Sequence, residues 1–374
     1  MAGVYVHIPF CRQACYYCDF HFSTNLSYRK RMIDALCREI ELQKDYLQEP
    51  IQTIYFGGGT PSLLDEEDIS SLLETLSRCF SLENVVEITL EANPDDLNEE
   101  KLKIFRRQGI NRLSIGIQTF HDPHLKRLHR LHSSQEAFNA VRKAQDMGFE
   151  NISIDLIYAI PADTHQIWED DLQKALLLEV PHISAYNLTI EEKTVLGNWT
   201  KKKKFVPADD DFAARQFELL IHTLTQAGYE HYEISNFALP SCYAVHNTNY
   251  WRQVPYLGIG ASAHSYDGNT RQFNVRNNAH YMASIENGVI PCQVEVLHLT
   301  DKINEYVMTS LRTQWGCDLS YLQKNYGFDL LSHHRATVEK LMKKEWILVE
   351  KERLLLTLQG KMLADRVTEE FFIA

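Results

Sequence analysis

Cys11-Arg12-Gln13-Ala14-Cys15-Tyr16-Tyr17-Cys18 sets three thiols within eight residues, just after a β-type run (Val4, Tyr5, Val6, Ile8) that ends at Pro9. Cysteine thiolates are soft ligands, suited to iron–sulfur clusters or zinc. A cubane [4Fe–4S] cluster has four irons, so three cysteines leave one iron open to a chelating small molecule. His21 follows Cys18 closely, so the same thiols with that imidazole also suit a closed Cys3His zinc site. A disulfide with spare thiols is a third arrangement. The rest of the chain has to decide.

The 374 residues suit one large domain plus a smaller one, and 44% hydrophobic with 24% charged residues is ordinary for a globular protein. No apolar run is long enough to span a membrane, and the N-terminus goes straight into a strand, so the expected compartment is the cytosol. Cys37, Cys79, Cys242, Cys292 and Cys317 are scattered, as free thiols in a reducing compartment would be. A net charge of −12 argues against life on phosphate backbones, so no nucleic-acid partner is expected. The basic run Lys201 to Lys204 reads as a solvated loop, with peripheral contact to an acidic membrane surface or partner as the other reading.

From Val4 onward, β-type runs alternate with amphipathic helical stretches. Strands are expected at Val4–Ile8, Thr53–Phe56, Val85–Leu90, Arg112–Ile117, Ile152–Ile157 and Ile183–Leu188. Each is followed by a helical pattern, such as Met32, Leu36 and Ile40 or Ile69, Leu72 and Leu76. Six strands each trailed by a helix imply parallel pairing through crossover connections, with reactive groups at the carboxyl ends of the strands. The polar motifs fall there: Gly57-Gly58-Gly59-Thr60-Pro61 after the second strand, Glu91-Ala92-Asn93-Pro94 after the third, Gly116-Ile117-Gln118 and then Arg130 after the fourth, and Asp155 in the fifth. Carboxylates suit an amino or hydroxyl group and Arg suits a carboxylate, the needs of a zwitterionic ligand with a ribose.

These stretches, with Tyr5-Val6-His7-Ile8-Pro9-Phe10-Cys11, Arg112-Leu113-Ser114-Ile115-Gly116-Ile117-Gln118 and Asp155-Leu156-Ile157-Tyr158, resemble the oxygen-independent coproporphyrinogen III oxidase family of radical S-adenosylmethionine (SAM) proteins. The resemblance covers essentially the whole chain and favours the iron–sulfur reading, since C-x3-C-x2-C is the radical SAM signature. It implies an α/β fold, a partial (β/α)6 barrel with a smaller, mostly helical C-terminal domain. It also implies Cys11, Cys15 and Cys18 as cluster ligands, and Tyr5, Gly58, Gly59, Thr60, Glu91, Gln118, Arg130 and Asp155 as SAM contacts, with Tyr17 lying against SAM.

Three departures separate this chain from the oxidases of that family. Phe20 stands where they carry a fourth cysteine, their N-terminal extension is missing before Tyr5, and His246-Asn247-Thr248-Asn249-Tyr250-Trp251 resembles the HNxxYW motif of the heme-chaperone (HemW-type) branch. The implied function is binding heme and passing it to an apoprotein. The alternative is the family's oxidative decarboxylation of propionates to vinyls. His246, Asn247, Tyr250 and Trp251 are the heme candidates, with His264 and His231 competing for the axial position. The expected organisation is a barrel core over 1–235, a connecting segment with the HNxxYW motif over 236–290, and a winged-helix-like domain over 291–374 acting as a lid or partner surface. Whether two copies form a homodimer is left open by the sequence.

Overall fold

The computed structural model describes residues 1–373. β1 (Ala2–Ile8), β2 (Ile51–Gly58), β3 (Glu87–Ala92), β4 (Arg112–Gln118), β5 (Asn151–Tyr158) and β6 (His182–Asn187) pair side by side in sequence order, all parallel. Their β-branched and leucine side chains are buried on both faces, as parallel strands under helices require. The crossover helices start where the sequence offers caps. Helix Glu66–Cys79 opens at Asp65, whose carboxylate accepts the Asp68 backbone N–H at 3.0 Å, and buries Ile69, Leu72 and Leu76. Such a cap contributes about 1 kcal/mol. The fold is the partial radical SAM barrel that the resemblance implies, with a helical C-terminal region.

The sheet continues beyond the six parallel strands. β8 (Asn236–Ala238) adds antiparallel to β6 and β7 (Glu230–Glu233) antiparallel to β8, while β9 (Tyr256–Ile259), β10 (His264–Tyr266), β11 (Thr270–Asn274) and β12 (Cys292–Val296) extend the sheet beyond β1. β9 is parallel to β1, with Gly3 opposite Tyr256, and the strands after it run antiparallel. The stretch expected as a connecting segment is therefore built into the sheet at both edges, and the sheet reaches past residue 290.

A buried carboxylate fastens this flank. Glu39, fully buried on helix Arg29–Leu42, accepts hydrogen bonds from Gly260 N–H (2.7 Å), Asn274 Nδ2 (2.7 Å) and Tyr281 OH (2.5 Å). Each donor belongs to a segment more than two hundred residues away along the chain.

A second core gathers Ile303, Val307, Leu322, Leu341, Leu354 and Phe371. Helix Leu299–Leu311, β13 (Cys317–Asp318), helices Leu319–Tyr326 and Arg335–Lys343, and the hairpin of β14 (Ile347–Glu350) and β15 (Arg353–Leu356) follow in winged-helix order. Among the described residues no helix is long and apolar enough to cross a membrane.

Glu39→Ala leaves three buried donors unpaired and is expected to lower stability by about 3 kcal/mol. Urea unfolding checks this: the midpoint should fall with little change in slope. An unchanged midpoint would show that the flank is held by packing alone.

Candidate functional site

The cysteine loop leaves the end of β1 and is clamped to the loop that follows β4. Gln13 Nε2 donates to the His129 carbonyl (2.8 Å), the His129 ring Nδ1 is 2.8 Å from the Ala14 carbonyl, and Tyr16 N–H donates to the Leu128 carbonyl (3.2 Å). The Tyr16 ring stacks on His129 at 4.2 Å, and Tyr16 and Tyr17 pack on a small apolar cluster that includes Leu128, Ile157 and Leu196. Arg12 is tied to Asp96 at 2.9 Å. The three thiols thus sit on a braced segment, and they are free.

Two of the thiols accept hydrogen bonds, Cys11 from Thr60 Oγ1 (3.3 Å) and Cys15 from Arg130 Nη1 (3.4 Å). Burial pushes Cys11 up to about 12 and Cys18 up to about 11, against the opposing Thr60 bond at Cys11. In the metal-free chain these thiols carry their protons, and metal uptake must release them. As placed, no group of three or more His, Cys, Asp or Glu among the described residues could hold a metal ion. His21, the fourth ligand of the Cys3His alternative, has its Nε2 2.7 Å from Asn278 Oδ1.

A cavity of about 630 Å³ opens beside the thiols at the carboxyl ends of the strands. Its wall brings together Cys11, Cys15, Tyr17 and Cys18 with Gly58, Gly59, Thr60, Glu91, Gln118, Arg130 and Asp155. Gly58 has φ +106°, and a Cβ on Gly59 would lie 2.6 Å from the Phe10 carbonyl oxygen, so this turn needs glycine at both positions. Glu91 accepts from Tyr55 OH (2.8 Å) and Gly58 N–H (3.0 Å). Asp155 accepts from Ser114 Oγ (3.2 Å). Arg130 spans the group, donating through Nη2 to Asn93 Oδ1 (2.7 Å) and the Gly116 carbonyl (2.8 Å), while its buried Nε has no partner. Gln118 is held at φ +71° where the β4–β5 register slips by one residue, a strained backbone that aims its side chain back over Gly116.

Burial raises the Glu91 carboxyl to about 7 and also pushes Asp155 upward. Four carboxyl residues, Asp19, Glu91, Asp155 and Glu191, with Arg130 as the one cation on the wall, favour a ligand that is itself cationic. Of the expected SAM contacts only Tyr5 lies off this wall. Its ring faces a different cavity and its OH is 3.1 Å from His7 Nδ1. Sequence reasoning missed Tyr55, Ser114 and Asn93 as the residues that hold Glu91, Asp155 and Arg130. Alternation along the strands was the available signal, since Tyr55 shares a face with Gly57, and Asn93 lies inside a quoted motif.

The HNxxYW stretch forms helix Val245–Trp251, and its histidine points away from any cavity. His246 is 3% exposed, with Nδ1 2.7 Å from Thr53 Oγ1 and Nε2 2.9 Å from Tyr250 OH. Burial lowers it to about 3. The Glu87 carboxylate accepts the Val245 and His246 backbone N–H groups (2.8 and 2.9 Å). Thr53 and Glu87 lie near the starts of β2 and β3, on the sheet face that carries Glu91 further along. The helix therefore closes the floor of the barrel. Both ring nitrogens of His246 are thus committed within the protein, which leaves neither free for iron in this arrangement. His231 is likewise buried, its Nε2 3.1 Å from the Ile234 carbonyl. Asn247, Tyr250 and Trp251 do reach a cavity, of about 600 Å³, between the β9–β11 flank and helix Leu299–Leu311. His264 also lines it, and Asp19 and Phe20 belong to the walls of both cavities.

Residues 5–175 match the radical SAM superfamily model and residues 297–363 the HemN C-terminal domain model. The chain is 34% identical to the heme chaperone HemW of Lactococcus lactis subsp. lactis (strain IL1403), over 99% of this chain and 97% of that one. It is also 34% identical to that of Bacillus subtilis (strain 168), over 99% of each. Among solved structures it is similar in fold to coproporphyrinogen III oxidase (HemN) from Escherichia coli, with a TM-score of 0.86 over 99% of this chain and 90% of that one, at 23% identity.

The raised Glu91 carboxyl has a consequence for stability. A carboxyl near 7 when folded and 4.5 when unfolded binds its proton more tightly in the native state, so its contribution is full below pH 4.5 and is lost as pH rises to about 7. Glu91→Gln removes that loss. In ligand-free protein the variant is expected to match the parent near pH 4.5 and to exceed it by on the order of 2 kcal/mol at about pH 8, the carboxylate keeping some contact with solvent. Parallel stability curves across this range would refute the assignment.

Proposed function

We propose a heme-carrying role for this chain, which belongs to the heme-chaperone (HemW-type) branch of the oxygen-independent coproporphyrinogen III oxidase family of radical SAM proteins. It binds a [4Fe–4S] cluster, SAM and heme, and delivers the heme to an apoprotein. The observation that carries the reading is Phe20. The family's oxidases have a cysteine at this position, and here an apolar ring, 71% exposed, stands at the meeting of the two cavities. Phenylalanine has no thiol to transfer hydrogen and no polar contact to offer a propionate.

The residues of the strand-end cavity suit the cluster and SAM. Cys11, Cys15 and Cys18 would hold three irons, and a cubane spreads its thiolates more widely than a single ion does. The Thr60 and Arg130 donors stabilise negative charge on Cys11 and Cys15. Bound there, the cluster supplies an open iron and an electron. Glu91 and Asp155 would take the amino and ribose hydroxyl groups of SAM, and the Gly58–Gly59 turn lets the ligand lie against backbone. Arg130, with its spare buried N–H, would orient the ligand carboxylate while holding Asn93 and Gly116 in place. Tyr17 covers one side of the cavity and keeps water from it.

Two experiments test the reading. Anaerobic reconstitution is expected to give brown, oxygen-sensitive protein with about four irons per chain, abolished by alanine at Cys11, Cys15 or Cys18. Stoichiometric zinc instead would refute the cluster. Reconstituted protein given SAM, reductant and coproporphyrinogen III is expected to form no protoporphyrinogen, while hemin titration of the chain saturates. Multiple turnovers, or no saturable hemin binding, would overturn the chaperone reading.

A further inference from the structure

We infer that the cavity between the β9–β11 flank and helix Leu299–Leu311 is the cargo site, with His264 as the iron ligand and Arg276 as the partner of a propionate carboxylate. This rests on the heme-carrying reading and gives it a place in the fold.

The cavity has the size and lining for a flat tetrapyrrole. At about 600 Å³ it falls among pockets for organic ligands, which span roughly 300–1,000 Å³. Tyr250, Trp251, Tyr256 and Tyr266 supply aromatic wall, and Phe20 stands at its border with the strand-end cavity. Cross-strand register explains why the polar groups converge. His264 lies opposite Phe273, and Tyr266 opposite Arg271, in the antiparallel pair β10–β11. Directly opposed residues project to the same face, as do residues two apart along a strand, so His264, Tyr266 and Arg271 share one side of the sheet.

The histidines on this wall are not equivalent. His7 has Nδ1 3.1 Å from Tyr5 OH and Nε2 2.8 Å from the His21 carbonyl, and His21 spends Nε2 on Asn278. His264 is, among the described residues lining the cavity, the histidine with neither ring nitrogen in a hydrogen bond. It is exposed to the cavity, and its ring stacks on Phe273 at 5.7 Å, which fixes its plane and leaves a nitrogen lone pair free for iron.

The border also holds polar groups that lack partners. Arg276 Nη2 donates to the Asp19 carbonyl and stands 3.5 Å from the Asp19 carboxylate, which leaves Nε and Nη1 without a protein acceptor. Trp251 Nε1 and Arg271 Nε are buried and unpaired. Arg271 pairs with Glu305 at 2.9 Å, closer than Arg276 stands to the Asp19 carboxylate at 3.5 Å, so Arg276 is the freer cation for a ligand carboxylate.

The test is a hemin titration of the full chain followed by absorbance, with metal-free protoporphyrin IX as a second probe. His264→Ala is expected to weaken hemin at least tenfold and shift its Soret band, to leave protoporphyrin affinity unchanged, and to recover the parent band on addition of free imidazole. Arg276→Ala is expected to weaken both probes several-fold. His246→Gln is expected to lower stability and keep the parent band. If His264→Ala binds hemin with the parent's affinity and band, or if His246→Gln alone loses the band, the ligand assignment is wrong while the chaperone reading stands. Failure of the unsubstituted chain to bind hemin saturably refutes the chaperone reading itself.

Discussion

Arg130 is the one guanidinium on a wall that also carries four carboxyl residues and three thiols. Its nitrogens reach Cys15, Asn93 and the Gly116 carbonyl, joining the cysteine loop, the end of β3 and the bulge of β4. Few groups could do this. Lysine has three donors on a flexible stem, whereas the guanidinium fork holds several acceptors at fixed angles. Parallel strands make the arrangement available, because they bring every carboxyl end to one rim. Burial on both faces then leaves the rim as the place where polar side chains can gather without cost to the core.

The parallel half of the fold was legible because its signals are local. β-Branched runs, apolar positions at helical spacing such as Ile69, Leu72 and Leu76, and motifs at strand ends each lie within a few residues of what they determine. All the expected SAM contacts except Tyr5 come together on one wall. The antiparallel flanks were not legible. Their strands are short, and β9 takes its place only because Tyr256 meets Gly3 across the length of the barrel.

His246 shows a different limit. A histidine in a motif with tyrosine and tryptophan has the right chemistry for a macrocycle, and its residue type is all that sequence supplies. Its ring nitrogens go to Tyr250, four residues away, and to Thr53, 193 residues away, and the second partner carries no mark in the sequence. The motif serves as a stopper for the barrel floor, with Glu87 binding the free N–H groups at the start of the helix. Asn247, Tyr250 and Trp251 are the motif residues that face a cavity.

Asp19 and Phe20 form part of two cavities at once, directly after the last cysteine of the loop. Were both filled, as the proposed function requires, any change in this shared wall would link the two affinities. Whatever factor a filled strand-end cavity applies to the affinity of its neighbour, the neighbour returns to it in equal measure. Asp19 and Phe20 would then be the place where the filling of one cavity is felt in the other.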